Sequence, residues 1–127
     1  MKIYGIGTDL SNINRIKKNL KNKNFINRIF NKGEIKKCNK LANKANCYAK
    51  RFAAKEAFSK AIGTGISKGI NFNEIIVYNT NSGRPTIRLL GNTKKITTKI
   101  LQKKKFNIFL SLSDDKPFAV ATVVISI

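Results

Sequence analysis

The stretch "NCYAKRFAAKEAFSKAIGTG", residues 46–65, limits what this chain can fold into more than any other. From Asn46 to Ile62 its Ala, Phe, Lys and Glu residues all suit a helix, and Gly63 and Gly65 follow where a helix C-cap belongs. The remainder of the chain has to cover a long helix seated by its alanines and phenylalanines.

That remainder reads as short elements. "KIYGIG" is a first strand that ends at Thr8 and Asp9, with glycines that admit a close backbone approach. Ser11 is the expected N-cap of a helix with Ile13, Ile16 and Leu20 on one side and Arg15, Lys17, Lys18 and Lys21 on the other. "FINRIF" predicts a turn or two of helix that stops near Gly33, and Ile35, Cys38 and Leu41 mark another short helical face. "EIIVYN" and "PTIRLL", joined through "TNSG", make a hairpin in which Pro85 starts the second strand. Asn92 is the expected cap of a helix carrying Ile96 and Ile100, and "FNIFLSLS" and "FAVATVVISI" form a second antiparallel pair around "DDKP". The order predicts one α+β domain over residues 1–127, an antiparallel sheet from hairpins packed against the long helix.

The chain has 26 Lys and Arg against six Asp and Glu, a formal net charge of +20. Such a charge attracts polyanions, so a small basic RNA-binding protein is the rival reading, but no nucleic-acid-binding motif accompanies it. In so basic a chain the few acids carry the information. With no histidine and only Cys38 and Cys47, a structural zinc site lacks ligands, and the two cysteines read as small core residues with reduced thiols. No window approaches the length of an apolar membrane span, so the expected location is the cytosol.

Asp9 is the only acid among the first 33 residues, and Glu56 lies among the cations of the long helix. Each has two readings. Asp9 is a turn or cap residue, and Glu56 the partner of Lys60 in an i,i+4 surface pair. Alternatively the two converge on one Mg²⁺, a hard cation that takes one or two carboxylates and leaves its other positions to water and phosphates. Lys60 on the same helix face would then neutralise a neighbouring diphosphate oxygen, the positioning and charge clamping that phosphoryl transfer requires. "GTG" at 63–65 is either a plain C-cap or a loop offering N–H groups to a phosphate, and local position favours the cap. "SLSDD" puts Ser111 and Ser113 on one strand face, and without histidine a Ser-His-Asp triad is excluded.

"GIGTDLSNINRI" and "RFAAKEAFSKAIGTGI" together resemble the two signature motifs of the holo-acyl-carrier-protein synthases, the small type of 4'-phosphopantetheinyl transferase. The likeness continues through "SGRPTIRL" and "SLSDDKPFAVATVVI", so it spans essentially the whole chain. It implies transfer of the 4'-phosphopantetheine arm of coenzyme A to a serine of apo-acyl carrier protein, releasing adenosine 3',5'-bisphosphate, in fatty acid biosynthesis. The resemblance assigns Mg²⁺ to Asp9 and Glu56 and the diphosphate to Lys60. It sets Arg51 and the loop Gly63, Thr64 and Gly65 beside the coenzyme, and Arg84, Pro85 and Ser111 to Asp114, Ser113 included, toward the adenine and 3'-phosphate. It also implies a homotrimer with each active site between two subunits, and an acidic carrier protein docked on Arg15, Lys21 and Arg28. Asn12 stands where many members carry glutamate, Asp114 where they carry histidine or aspartate, and Asn24 where an arginine is usual. Glu56 is the expected base toward the serine hydroxyl, acting through a water.

Overall fold

The computed structural model describes residues 1–65 and 67–127; Ile66, the last residue of the second motif, lies outside them. The element order is β1 (Ile3–Asn12), α1 (Ile13–Asn19), α2 (Lys23–Ile29), α3 (Lys32–Asn39), α4 (Lys44–Ile62), a 3₁₀ turn (Phe72–Glu74), β2 (Ile75–Asn79), β3 (Pro85–Leu89), α5 (Gly91–Leu101), β4 (Asn107–Asp115) and β5 (Phe118–Ser126). The strands form an antiparallel three-stranded sheet in the order β1-β5-β4 and a separate antiparallel hairpin, β2-β3. The α+β class, the two hairpins and the long helix agree with the sequence expectations.

Helix α4 lies against β1 and β5. Its Ala53, Ala54, Ala57 and Ala61 are buried, and they meet Ala119, Ala121, Val123 and Ile125 of β5 in the core. Small residues on both sides allow helix and sheet to approach closely. The contact is tightest at β1, where a Cβ at Gly5 would overlap the carbonyl of Ala61 and one at Gly7 that of Ala57. Because alternate residues of a strand share a face, Gly5, Gly7, Asp9 and Ser11 all turn toward α4. The close packing therefore carries Asp9 to the helix.

Several expected boundaries move. β1 does not end at Asp9 but runs to Asn12, with Asp9 paired to Ala121 of β5. Ser11 is consequently a buried strand residue, and the cap of α1 is Asn12, whose side chain accepts from the N–H groups of Asn14 and Arg15. The second helix stops at Phe30 rather than near Gly33, which lies in α3, and Leu41 falls beyond α3 and is exposed. Asn92 does not cap α5. The carboxylate of Glu74 does so from outside, accepting from the N–H groups of Asn92 and Thr93 and from the Thr93 hydroxyl. A distant acid thus satisfies the open N–H groups of a helix start, which no local pattern records.

The cysteines also differ from expectation. Cys38 of α3 and Cys47 of α4 are both buried, as read, but they are joined in a disulfide, not held as reduced thiols. Helical spacing within one continuous helix would separate them; the break at Lys40 to Asn43 folds α3 back onto α4 and brings the sulfurs together. No described helix is long and apolar enough to cross a membrane.

Candidate active site

The close strand–helix contact assembles a small charged cluster. The Lys60 ammonium donates to Oδ1 of Asp9 at 3.1 Å and to the carbonyl of Thr8 at 3.0 Å. Lys60 therefore reaches across to the strand, and among the described residues it forms no ion pair with Glu56 of the kind its i,i+4 position suggests. Glu56, one turn earlier on α4, is half-buried. Burial holds its carboxyl above the usual glutamate range, the nearby negative charge of Asp9 raises it further, and Lys60 partly offsets both. Two carboxylates that resist sharing negative charge, with an exposed amine beside them, suit a hard divalent cation and a polyphosphate. No group of three or more His, Cys, Asp or Glu that could hold a metal ion is gathered among the described residues. Asn12, the position of the missing third acid, is occupied in capping α1.

Glu56 opens into a cavity of about 530 Å³ lined by Phe25, Ile29, Phe52, Ile70 and Phe72, with Arg28 at its edge. Phe52 lies between Phe25, tilted against it, and Phe72, edge-on to it, each at 6.2 Å between ring centroids. Arg28 is thus brought to the Glu56 site, while Arg15 and Lys21 are exposed on and just after α1, where Lys21 borders a second depression with Lys17, Lys44 and Lys116.

Arg51 lies buried one turn and more before Glu56. Its guanidinium donates to the carbonyl and the sulfur of Cys47, Nε has no partner, and burial lowers its pKa. Arg51 borders a cavity with Lys37, Lys50, Asn43, Asn46 and Asn79. Asp114 comes to the same end of α4, bonded to Lys50 at 3.2 Å and to the Asn46 amide at 3.1 Å, with Ser113 exposed beside it. Pro85 opens β3, with Arg84 just before it, and pairs with Asn79, one of the residues that line this cavity. The structure therefore gathers Arg51 and Asp114 toward the start of α4, five residues or more before Glu56, while Gly63, Thr64 and Gly65 follow Lys60 at the other end of the helix.

The 63–65 loop behaves as a cap. Gly63 has φ 90°, and its N–H bonds the carbonyls of Ser59 and Lys60, while that of Gly65 bonds Ser59. These two N–H groups are committed to closing α4 and do not offer themselves to a phosphate. The Thr64 hydroxyl donates to the Gly65 carbonyl.

Sequence reasoning passed over two features. One is the aromatic lining contributed by Phe25, Phe52 and Phe72. The other is Lys55, whose ammonium is wholly buried and bonds Oε1 of buried Glu34 at 2.7 Å and the Phe72 carbonyl at 2.8 Å. Burial lowers the Lys55 pKa to about 8 against the opposing pull of Glu34. A signal existed: a lysine set among Ala53, Ala54 and Ala57 on the apolar side of a helix needs an acid, and only six exist.

Residues 5–123 match the family model of the 4'-phosphopantetheinyl transferase superfamily. The chain is 50% identical over 125 residues to a holo-[acyl-carrier-protein] synthase of Pelagibacter ubique, covering 98% of each. Its fold resembles a holo-[acyl-carrier-protein] synthase from Neisseria meningitidis with TM-score 0.85 and 35% identity over 98% of this chain and 99% of that one. It also resembles the enzyme of that name from Bacillus anthracis, solved in complex with CoA (3',5'-ADP), with TM-score 0.81 and 37% identity over 99% and 98% of the two chains.

Proposed function

The chain belongs to the 4'-phosphopantetheinyl transferase superfamily, and from this we propose that it moves the 4'-phosphopantetheine group of coenzyme A to a serine of apo-acyl carrier protein. The products are holo-acyl carrier protein and adenosine 3',5'-bisphosphate, and the reaction serves fatty acid biosynthesis in the cytoplasm. The observation that carries this reading is the convergence of Asp9, Glu56 and Lys60 beside an aromatic-lined cavity.

In the transfer, the serine oxygen bonds the phosphorus that carries pantetheine. The P–O bond to the other phosphate breaks, and the bisphosphate leaves with that electron pair. Asp9 and Glu56 would hold a Mg²⁺, whose chemistry is charge neutralisation at the diphosphate. Lys60 is exposed enough to turn its ammonium from Asp9 to the leaving phosphate, offsetting the charge that develops there. Glu56 is the base toward the serine hydroxyl, acting through a water, in a chain without histidine. Arg51, which lines a cavity with Asn79, the strand partner of Pro85, would face the nucleotide end together with Arg84 and Pro85, and Thr64 would border the coenzyme beyond α4. Arg15, Lys21 and Arg28 supply a positive approach for an acidic carrier protein.

The sheet face turned away from α4 supports assembly as a homotrimer. Ile6, Leu10, Phe109 and Phe118 expose their side chains there, Ile6 and Leu10 at 61% each. A neighbouring subunit covering that face would bring Ser113 and Asp114 of one chain near the site of the next.

The deciding experiment is mass spectrometry of an apo-acyl carrier protein incubated with coenzyme A, Mg²⁺ and this protein. A gain of roughly 340 Da on the carrier is expected for a phosphoryl-type transfer of the pantetheine phosphate. No gain on any of several carriers would falsify the function.

A further inference from the structure

Lys55 directly precedes Glu56, yet it points into the protein and touches neither the cavity nor Asp9. Its ammonium lies 5.4 Å from the centre of the Phe30 ring and ends on two acceptors, Glu34 Oε1 and the Phe72 carbonyl. Glu34 in turn uses both oxygens: Oε1 also accepts from the N–H of Asn31 at 3.0 Å, and Oε2 from the N–H of Val77 at 3.0 Å. One ammonium and one carboxylate, 0% and 3% exposed, thereby join the start of α3, the middle of α4, the 3₁₀ turn and β2.

Such a pair adds little to stability beyond what apolar residues of the same volume supply, because desolvating both charges offsets their attraction. What an apolar pair lacks is direction. A hydrogen-bonded ammonium fixes the rotation of its helix about the long axis, and consecutive residues of a helix lie about 100° apart on that axis. Holding Lys55 on Glu34 and Phe72 thus sets the direction in which Glu56 projects. The same bond to the Phe72 carbonyl fixes the wall that Glu56 faces across the cavity.

We infer that the buried Lys55–Glu34 pair is a positioning device for the transfer, aligning Glu56 with the Phe72 wall of the cavity beside it. The inference rests on Glu56 acting in the reaction as proposed above. Its size follows from geometry: a turn of the helix by about 10° moves a carboxylate roughly 6 Å from the axis by roughly 1 Å. A misplacement of that order costs up to ~100-fold in rate. Lys55 and Glu34 are positioning residues, since neither touches the reacting atoms.

The test is the neutral, near-isosteric pair Lys55→Met with Glu34→Gln, compared with wild type for thermal melting and for steady-state transfer to a carrier protein. The expected result is a folded protein with a lowered melting temperature, because Glu34→Gln turns an amide donor toward a backbone N–H and Lys55→Met leaves the Phe72 carbonyl without its partner; at a temperature well below that melt, kcat is lower by roughly 10- to 100-fold and KM for coenzyme A is within about twofold of wild type. A purely structural role predicts otherwise, with activity following the folded fraction. A folded double variant with wild-type kcat overturns the inference, as does a loss confined to KM for coenzyme A. If the double variant does not fold, Glu34→Asp, which keeps both charges and retracts the carboxylate by one methylene, is read in its place; a lowered kcat is expected, and wild-type kcat overturns the inference. Wild-type protein is assayed first, so a wild type that transfers nothing overturns the function itself, and the positioning role with it, rather than the positioning role alone.

Discussion

Lys60 and Asp9 lie 51 residues apart in the chain, yet the Lys60 ammonium sits 3.1 Å from the Asp9 carboxylate and not on Glu56, one helical turn away. The choice follows from the close packing of β1 on α4, which puts a strand carboxylate and a free carbonyl in front of the amine. Lys60 is more than half exposed, so the pair contributes at most ~1 kcal/mol to stability. The role we propose for Lys60 is therefore chemical.

Lys60→Met should accordingly melt near wild type and lose transfer. A donor aimed at developing charge is worth ~100- to 1000-fold in kcat, and a loss in that range is expected in a steady-state assay. Retention of more than a tenth of wild-type kcat would remove Lys60 from the reaction.

Gly7→Ala is expected to damage both fold and site. The added Cβ meets the backbone carbonyl of Ala57, which cannot move without shifting α4. Overpacking of this kind costs ~1–3 kcal/mol or more, measurable as a lower urea midpoint at unchanged m-value. The same shift moves Asp9 away from Lys60, so kcat should fall in whatever fraction remains folded. A Gly7→Ala protein as stable and active as wild type contradicts the close contact.

The Glu56 carboxyl titrates above the usual glutamate range because of burial first and Asp9 second. Asp9→Asn removes the second cause and should move the Glu56 titration down in metal-free protein, followed by carboxyl NMR. The linkage sign is fixed by the direction of the shift. Between the unfolded value and the raised folded value the folded state binds more protons, so this group adds stability as pH falls through that window and withdraws it as pH rises. An unchanged Glu56 titration in Asp9→Asn would separate the two acids.

The Cys38–Cys47 bond closes a loop of nine residues' separation between α3 and α4. Chain-entropy arguments give a loop of about that size roughly 2–3 kcal/mol of stabilisation. Cys38→Ser with Cys47→Ser should lower the unfolding free energy by about that much in urea, and dithiothreitol should do the same to wild type. Equal stability with and without reductant would mean that the bond is not holding the two helices.

What was legible in the sequence was local. The length of α4, the two hairpins and the glycine-bearing first strand follow from short-range pattern, and the motif resemblance named Asp9, Glu56 and Lys60 together. What the sequence hid depends on elements meeting after folding. Lys60 chooses Asp9 because a strand crosses its helix, Glu74 caps α5 from 18 and 19 positions away, and Lys55 finds Glu34 at a separation of 21. Each is a pairing decided by packing, in which a single residue's propensity has no part. The cysteines mislead for the same reason: they lie on two helices, and the break between those helices decides that the sulfurs meet.

The exposed apolar face of β1, β5 and β4 supplies the last prediction. Ile6 pairs with Val124 and Leu10 with Val120, so these strands carry an apolar strip on the side away from α4, broken midway by the Thr8–Thr122 pair. Left in water, such a strip drives association, and a closed ring of three copies would cover it without leaving an open edge. Each added copy brings a formal charge of +20, so assembly works against repulsion and should strengthen as salt screens it. Leu10→Lys places a further cation in the strip while Asp9, on the opposite face, keeps its contacts. Sedimentation should then change from trimer to monomer at moderate salt, with the melting temperature of the monomer readable separately. If Ser113 and Asp114 act from the neighbouring chain, the monomer should also show a raised KM for coenzyme A. A wild-type protein that sediments as a monomer at every salt concentration would end the trimer proposal, and a monomeric Leu10→Lys with wild-type KM would confine each active site to one chain.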